Sequence, residues 1–307
     1  MDSSANPLLV VGTGAMASLF AARLSASGAQ VRMLGTWTDA IQAINTHGLR
    51  LVDGHGRETV YPVEATDNPM KCQGSQYALV LVKSYQTVSI AQKLKSCLSE
   101  GGLALTLQNG LNNYQTLAKV LGEDAVATGV TTAGATLVSP GIVRVGGKGA
   151  ISLKGETKLE PLITLLFRAG FEVEIVEDTE ALIWGKLVIN AAINPLTALL
   201  RVPNGELVSN SSARRIMNLV TIEAAGVAGA MGIDLPYPNA VSEVEAVAKR
   251  TASNYSSMCR DVMRGSQTEI DAINGAIVKA GESVAAPVSF NKLLWLMIKA
   301  LEPEQVH

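Results

Sequence analysis

Cysteine and histidine are scarce in this chain, with three of each in 307 residues. Cys72, Cys97 and Cys259 are odd in number and form no Cys-x-x-Cys pair, which argues against a disulfide framework and a structural zinc site. His47, His55 and His307 are too scattered for a metal cluster, so no metal is expected. Charged residues make up only 17%, the net charge is -2, and no basic block occurs, so nucleic acid is not an expected partner. No secretory leader is expected. Met1–Asn6 is short and polar, and the apolar run behind it is broken by Gly12 and Gly14. A reducing cytoplasm is the expected setting.

Hydrophobic residues, at 48%, are plentiful, and the length suits two domains. The first half alternates strand-like and helix-like runs. Strands are expected at Pro7–Gly12, Gln30–Gly35, Tyr77–Lys83 and Leu103–Gln108, with helices at Ala15–Ser27, Trp37–Thr46 and Thr87–Leu98 between them. That order implies a parallel sheet with right-handed crossovers. Leu49–Val52 and Thr59–Val63 flank Asp53-Gly54-His55-Gly56, a hairpin signal. Thr128–Lys154, rich in Thr, Val and Gly, reads as antiparallel strands, followed by a helix at Leu159–Arg168 and a last strand at Phe171–Val176. After Asp178 helical periodicity takes over. The expected architecture is therefore α/β: a Rossmann-like dinucleotide-binding domain over residues 1–178, then an all-α domain over residues 179–307.

One stretch, Ala181–Leu200, approaches the length of a membrane span. It carries Lys186, Asn190, Asn194 and Pro195, and polar groups are costly in lipid. A buried helix with a polar stripe, kinked near Pro195, is expected instead, and no membrane partner. The apolar helical half is compatible with a homodimer, although burial within one chain explains it equally.

The run Gly12-Thr13-Gly14-Ala15-Met16-Ala17 follows the first strand and opens the first helix. It is a G-x-G-x-x-A variant of the dinucleotide fingerprint. Gly12 allows the tight turn, Gly14 the approach of a pyrophosphate to the helix N-terminus, and Ala17 close helix–strand packing. A small-residue turn would look the same, but the βαβ setting favours a nucleotide. NAD enzymes commonly end the second strand with an acid. Here Met33-Leu34-Gly35-Thr36-Trp37 has none to repel a 2′-phosphate, which leans toward NADP without excluding NAD. Arg32 is a nearby cation or a solvent-facing strand residue. Lys83 and Gln108-Asn109-Gly110 close two later strands, where ligands of open parallel sheets bind. Each has a plainer alternative, a solvated loop lysine and a turn or helix cap.

Reduction of a ketone leaves negative charge on oxygen, which needs a proton donor. His47 and His55 lie in the cofactor half, so a lysine with lowered pKa is the better candidate. Lys186 sits in the apolar helix, and Asn190 and Asn194 at i+4 and i+8 share its face. The alternative is a lysine that snorkels to water. A second polar set includes Asn254, Ser256, Ser257, Thr268, Glu269 and Asp271. Asn254 and Ser257 have the spacing of one helix face. Glu269 is the candidate partner of Lys186 or of a substrate hydroxyl, and Thr268-Glu269 also fits the start of a helix.

These blocks resemble the ketopantoate reductases (2-dehydropantoate 2-reductases) through nearly the whole chain. The carriers are GTGAMA at 12–17, VKSYQT at 82–87, QNG at 108–110, WGKLVINAAINPLTAL at 184–199, PNGEL at 203–207, NYSSM at 254–258 and TEIDAINGAIV at 268–278. The resemblance implies reduction of 2-dehydropantoate to pantoate with NADPH, in pantothenate and coenzyme A synthesis. It implies Lys186 as general acid, with Asn190, Asn194, Asn204, Asn254 and Ser257 as substrate contacts. Glu269 is implied close to both cofactor and substrate, and Lys83, Asn109 and Ala135 fall at cofactor positions. Many members hold the 2′-phosphate with an arginine after the second strand, where this chain has Thr36. The alternatives are a D-2-hydroxyacid dehydrogenase of the same fold acting on another 2-keto acid, and a non-catalytic dinucleotide sensor.

Overall fold

The structure, a computed structural model, describes residues 7–147 and 149–303; Met1–Asn6 and His307 lie outside them. The first half runs β1 (Leu8–Val11), α1 (Ala15–Ala26), β2 (Val31–Leu34), α2 (Thr38–His47), β3 (Leu49–Val52), β4 (Glu58–Tyr61) and β5 (Glu64–Thr66). It continues with β6 (Ser75–Val80), α3 (Thr87–Cys97), β7 (Leu98–Thr106), α4 (Asn113–Leu121) and β8 (Val126–Thr131). Then come β9 (Gly134–Ser139), β10 (Ile142–Gly147), β11 (Ala150–Lys154), α5 (Glu160–Arg168) and β12 (Glu172–Val176). The rest is helical: α6 (Thr179–Leu200), α7 (Glu206–Ser209), α8 (Ser211–Ala230), α9 (Ala240–Arg250), α10 (Ser257–Met263), α11 (Asn274–Ser283) and α12 (Ser289–Lys299).

Two compact units result. The first ends at Gln108 and resumes over Asn112–Thr179; the second takes Asn109–Leu111 and the chain from Glu180 on.

In the first unit an eight-stranded sheet has the order β12-β11-β8-β7-β6-β1-β2-β5. From β5 to β8 all pairs are parallel; β8 and β11 are antiparallel. β1 is buried along its whole length, as expected of a strand covered on both faces. β2 lies on one side of it and β6 on the other, so the strand order reverses beside β1, where open α/β sheets bind ligands.

A smaller sheet, β4-β3-β10-β9, includes the expected hairpin β3–β4 and the antiparallel pair β9–β10. α1 touches β1 and β2 on one side and β9 and β10 on the other. That sandwich explains its small, apolar composition: Ala17, Leu19, Phe20, Ala21, Ala22 and Leu24 are all buried.

The helical unit gathers its core around α6, from Trp184, Leu187, Val188 and Ala191 with Val220 and Ala224 of α8 and Ile273 and Ile277. α6 is the one described helix long and apolar enough to cross a bilayer, and 67% of its most apolar stretch is buried in protein.

Candidate functional site

In the first unit the glycine motif forms the turn from β1 into α1. Gly12 has φ +122°, open to glycine but strained for other residues, and an added Cβ would stand 3.2 Å from the Ala17 Cβ. Gly14 caps α1 in extended conformation, and a Cβ there would meet nothing within 4 Å. No acidic side chain lies in the first turn of α1, so its free N–H groups face no competing anion within the helix. This open, positively polarised helix start fits a pyrophosphate. Thr13 is buried, and a Cβ at Gly35 would fall 2.5 Å from its Cγ2, so the chain leaves β2 through a glycine beside the motif.

Beyond the strand ends, the Gln108 amide donates to the Val82 carbonyl (3.0 Å) and the Thr87 hydroxyl (2.9 Å). The Lys83 backbone N–H donates to Gln86 Oε1 at 3.3 Å. Ala135 lies on β9, in the smaller sheet. His47 and His55 are both exposed in this unit.

In the second unit Lys186, Asn190 and Asn194 occupy one face of α6, with Asn194 buried. Lys186 is half-buried by exposure, yet its ammonium stands deep among protein atoms. Burial pushes its pKa down from 10.5 to about 8, against the opposing pull of Glu269. Glu269 is only 5% exposed. The Nδ2 of Asn109 lies 3.5 Å from Glu269 Oε2. The Asn109–Leu111 loop is docked here because the Leu111 N–H donates to the Ala272 carbonyl at 3.1 Å. Gly110 has φ +87°, and a Cβ would sit 2.5 Å from that same carbonyl oxygen. Asn109–Leu111 and the turn that carries Glu269 and Ala272 are thus locked together.

Two expected local structures are corrected. Asn254 and Ser257 do not share a helix face: Asn254 lies in the loop before α10, and Ser257 is the first residue of that helix. Ser256 is the cap, accepting from the Cys259 N–H at 3.0 Å and from the Thr197 hydroxyl at 2.7 Å. Likewise Thr268-Glu269 does not start a helix. Residues 268–273 form a turn in which the N–H groups of Ala272 and Ile273 both donate to the Glu269 carbonyl, and α11 begins at Asn274.

The PNGEL and NYSSM blocks meet directly. The Asn204 N–H donates to the Asn254 carbonyl at 2.9 Å, and the Asn204 amide donates to the Thr251 hydroxyl at 2.8 Å. Asn204 Oδ1 is buried with no partner in the protein.

Sequence and structure comparisons match this architecture over its length. Residues 8–155 match the family model described as ketopantoate reductase PanE/ApbA, and residues 178–302 match the model for its C-terminal part. A 2-dehydropantoate 2-reductase of Archaeoglobus fulgidus is 36% identical over 301 residues, 95% of this chain and 97% of the relative. The chain belongs to the ketopantoate reductase family. A crystal structure of a PanE/ApbA family ketopantoate reductase from Ralstonia eutropha JMP134 superposes with a TM-score of 0.89 at 31% identity, covering 97% of this chain and 99% of that one. D-mandelate dehydrogenase, in a ternary structure with NADH and anilino(oxo)acetate, superposes with a TM-score of 0.87 at 25% identity over 96% of this chain and 98% of that one.

In this chain Gly35-Thr36-Trp37, with no cation among them, follows β2. Thr36 is exposed, and Arg32 is committed elsewhere: its Nη2 and Nε donate to Glu64 Oε2 at 2.6 and 2.9 Å, and its Nη1 to the Lys71 carbonyl. Sequence reasoning passed over Thr197, Asn274 and Glu302. Asn274 had a signal: an asparagine inside an apolar stretch, four residues after Ile270 and three before Ile277, has to find a buried partner.

Proposed function

We propose that this chain reduces 2-dehydropantoate (ketopantoate) to (R)-pantoate with NADPH, for pantothenate and coenzyme A synthesis. Family membership and the relatives' names support the substrate. The observation that carries the chemistry is Lys186, an ammonium sunk in an apolar helix beside Glu269, with a pKa near 8.

Residues 1–178 take the nucleotide in this reading, and residues 179–307 take the keto acid. The cofactor residues are Gly12, Thr13, Gly14, Ala15, Met16 and Ala17, with Thr36, Lys83, Asn109, Ala135 and Glu269. These residues would hold NADPH, whose nicotinamide would supply a hydride for C2 of the keto acid. Lys186 gives a proton to the carbonyl oxygen as negative charge develops there. At a pKa near 8 it is still protonated at neutral pH, and it yields its proton far more readily than an exposed lysine. Proton donation of this kind contributes roughly 10²–10⁴-fold, and positioning supplies much of the rest. Glu269 accepts from a substrate hydroxyl. Asn190, Asn194, Asn204, Asn254 and Ser257 orient the acid; the unpartnered Asn204 Oδ1 suits a substrate donor.

A substrate panel tests the proposal. Turnover of ketopantoate ahead of phenylglyoxylate and branched 2-keto acids is expected. The reverse order favours the second reading, a D-2-hydroxyacid dehydrogenase, which the likeness to D-mandelate dehydrogenase supports. The free thiols of Cys72, Cys97 and Cys259 suit the cytoplasm. A homodimer is also proposed, on the exposed Leu293, Leu296 and Met297 of α12, to be read by light scattering.

A further inference from the structure

Seven residues, Thr268 to Asn274, carry Glu269, and only the last of them is helical. Their grip comes from the far end of the chain. Asn291, Trp295 and Lys299 recur every four residues on one face of α12, and Glu302 follows in the next turn. Each bonds to the Glu269 segment. The Asn274 amide donates to Asn291 Oδ1 at 3.0 Å. The Trp295 indole N–H donates to Asp271 Oδ1 at 2.7 Å, and Lys299 Nζ donates to Asp271 Oδ2 at 3.1 Å. Glu302 Oε1 accepts from both the Thr268 N–H (2.9 Å) and the Thr268 hydroxyl (2.7 Å), while Lys299 holds its Oε2 at 2.7 Å.

These bonds differ in weight. The Lys299–Asp271 pair is exposed and contributes little. The Glu302 side chain is only 7% exposed, and its fork onto Thr268 is a charge-assisted pair of bonds next to Glu269 in sequence. Trp295 both donates to Asp271 and packs on Gly275, where an added Cβ would stand 3.1 Å from its ring. The helix is itself anchored at its start: Glu223 of α8 accepts from the N–H groups of Phe290 (3.0 Å) and Asn291 (2.7 Å).

We propose that α12 and the turn behind it are a positioning device, in which Glu302 and Trp295 clamp Thr268 and Asp271 on either side of Glu269 and so set where its carboxylate stands relative to Lys186. The inference rests on the reading of Lys186 and Glu269 as the reactive pair. The charge of Glu269 acts on Lys186, so Lys186 reports its position. A carboxylate that drifts away withdraws its support for the ammonium, and the lysine then loses its proton at lower pH.

The test compares Glu302→Ala, Glu302→Gln and Trp295→Phe with the unmodified protein. The titration of Lys186 is followed by NMR with 13C-labelled lysine, without cofactor or substrate, and the pH profile of kcat/KM is recorded beside it. Glu302→Ala and Trp295→Phe are expected to move the Lys186 titration and the alkaline limb down together by about one pH unit. They should also lower kcat about ten- to a hundredfold. Glu302→Gln, whose amide oxygen still accepts from Thr268, is expected to restore most of the titration. If Glu302→Ala does not fold, Trp295→Phe decides. Folded variants that titrate as the unmodified protein does would overturn the proposal. Because the NMR titration needs no substrate, its outcome stands whether or not ketopantoate is the substrate; activity surviving in Lys186→Ala would instead sink the underlying assignment.

Discussion

Pro195 and Asn274 are a matched pair. Pro195 has no N–H, so the carbonyl of Ala191, one turn earlier in α6, loses its helical donor. The Asn274 amide supplies one from outside, at 3.1 Å. α6 therefore runs unbroken from Thr179 to Leu200, and its open carbonyl fastens the start of α11 to it. Asn274 is fully buried, which makes the bond consequential for stability.

Replacing Asn274 with Ala is expected to cost about 1–3 kcal/mol, because the Ala191 carbonyl is left buried and unpaired. The same change in a Pro195→Ala background restores the backbone donor and should cost measurably less. Urea unfolding of the two single variants and the double variant gives the coupling, expected at about 0.5–3 kcal/mol. Additive costs would show the two residues to be independent.

The glycine motif separates folding from binding. Gly14→Ala adds a methyl into open space at φ -81°, so the melting temperature should hold within a few degrees while NADPH binding weakens. Gly12→Ala forces φ +122° on a residue with a Cβ and should destabilise the fold by about 1–3 kcal/mol. Calorimetry of melting and of NADPH binding distinguishes the two effects.

Thr36→Arg should raise the preference for NADPH over NADH. A charged hydrogen bond to the 2′-phosphate is worth roughly 1.5–3 kcal/mol, about 10–150-fold in relative Kd. Because Arg32 is tied to Glu64, Arg32→Ala should leave that preference in place.

Lys186 also links stability to pH. Its folded pKa, about 8, lies below its usual 10.5, so the unfolded chain binds the extra proton between those values. Stability from this group therefore rises with pH through that window. Below pH 8 the protonated lysine opposes folding by at most roughly 3 kcal/mol, and above 10.5 the penalty is gone. Lys186→Met lacks the effect. The difference in unfolding free energy between the two proteins should change with pH between about 8 and 10.5 and be flat below.

Much of this was legible locally. β1, α1, the β3–β4 hairpin and α6 each declare themselves through their own periodicity or turn residues. So did the polar face of Lys186, Asn190 and Asn194. β5 was missed because three residues, Glu64–Thr66, make a strand only by pairing with β2. α4 was missed because it opens on a left-handed residue, Asn112, and buries only Asn113 and Leu117. The smaller sheet needs β10 to lie parallel to β3, some ninety residues away in the chain, which no short window carries. Asn109 read as a strand-end residue, yet Leu111, two residues on, bonds to Ala272. The grip of α12 on the Glu269 segment is likewise tertiary: the spacing of Asn291, Trp295 and Lys299 is visible, but not what they hold.

The most direct test is the loss of nicotinamide absorbance when purified protein meets NADPH and ketopantoate, with Lys186→Ala alongside. Rapid oxidation, reduced at least a hundredfold in the variant and falling above about pH 8 in the unmodified enzyme, is the expected result. Undiminished oxidation by Lys186→Ala, or none at all from protein that binds NADPH, would contradict it.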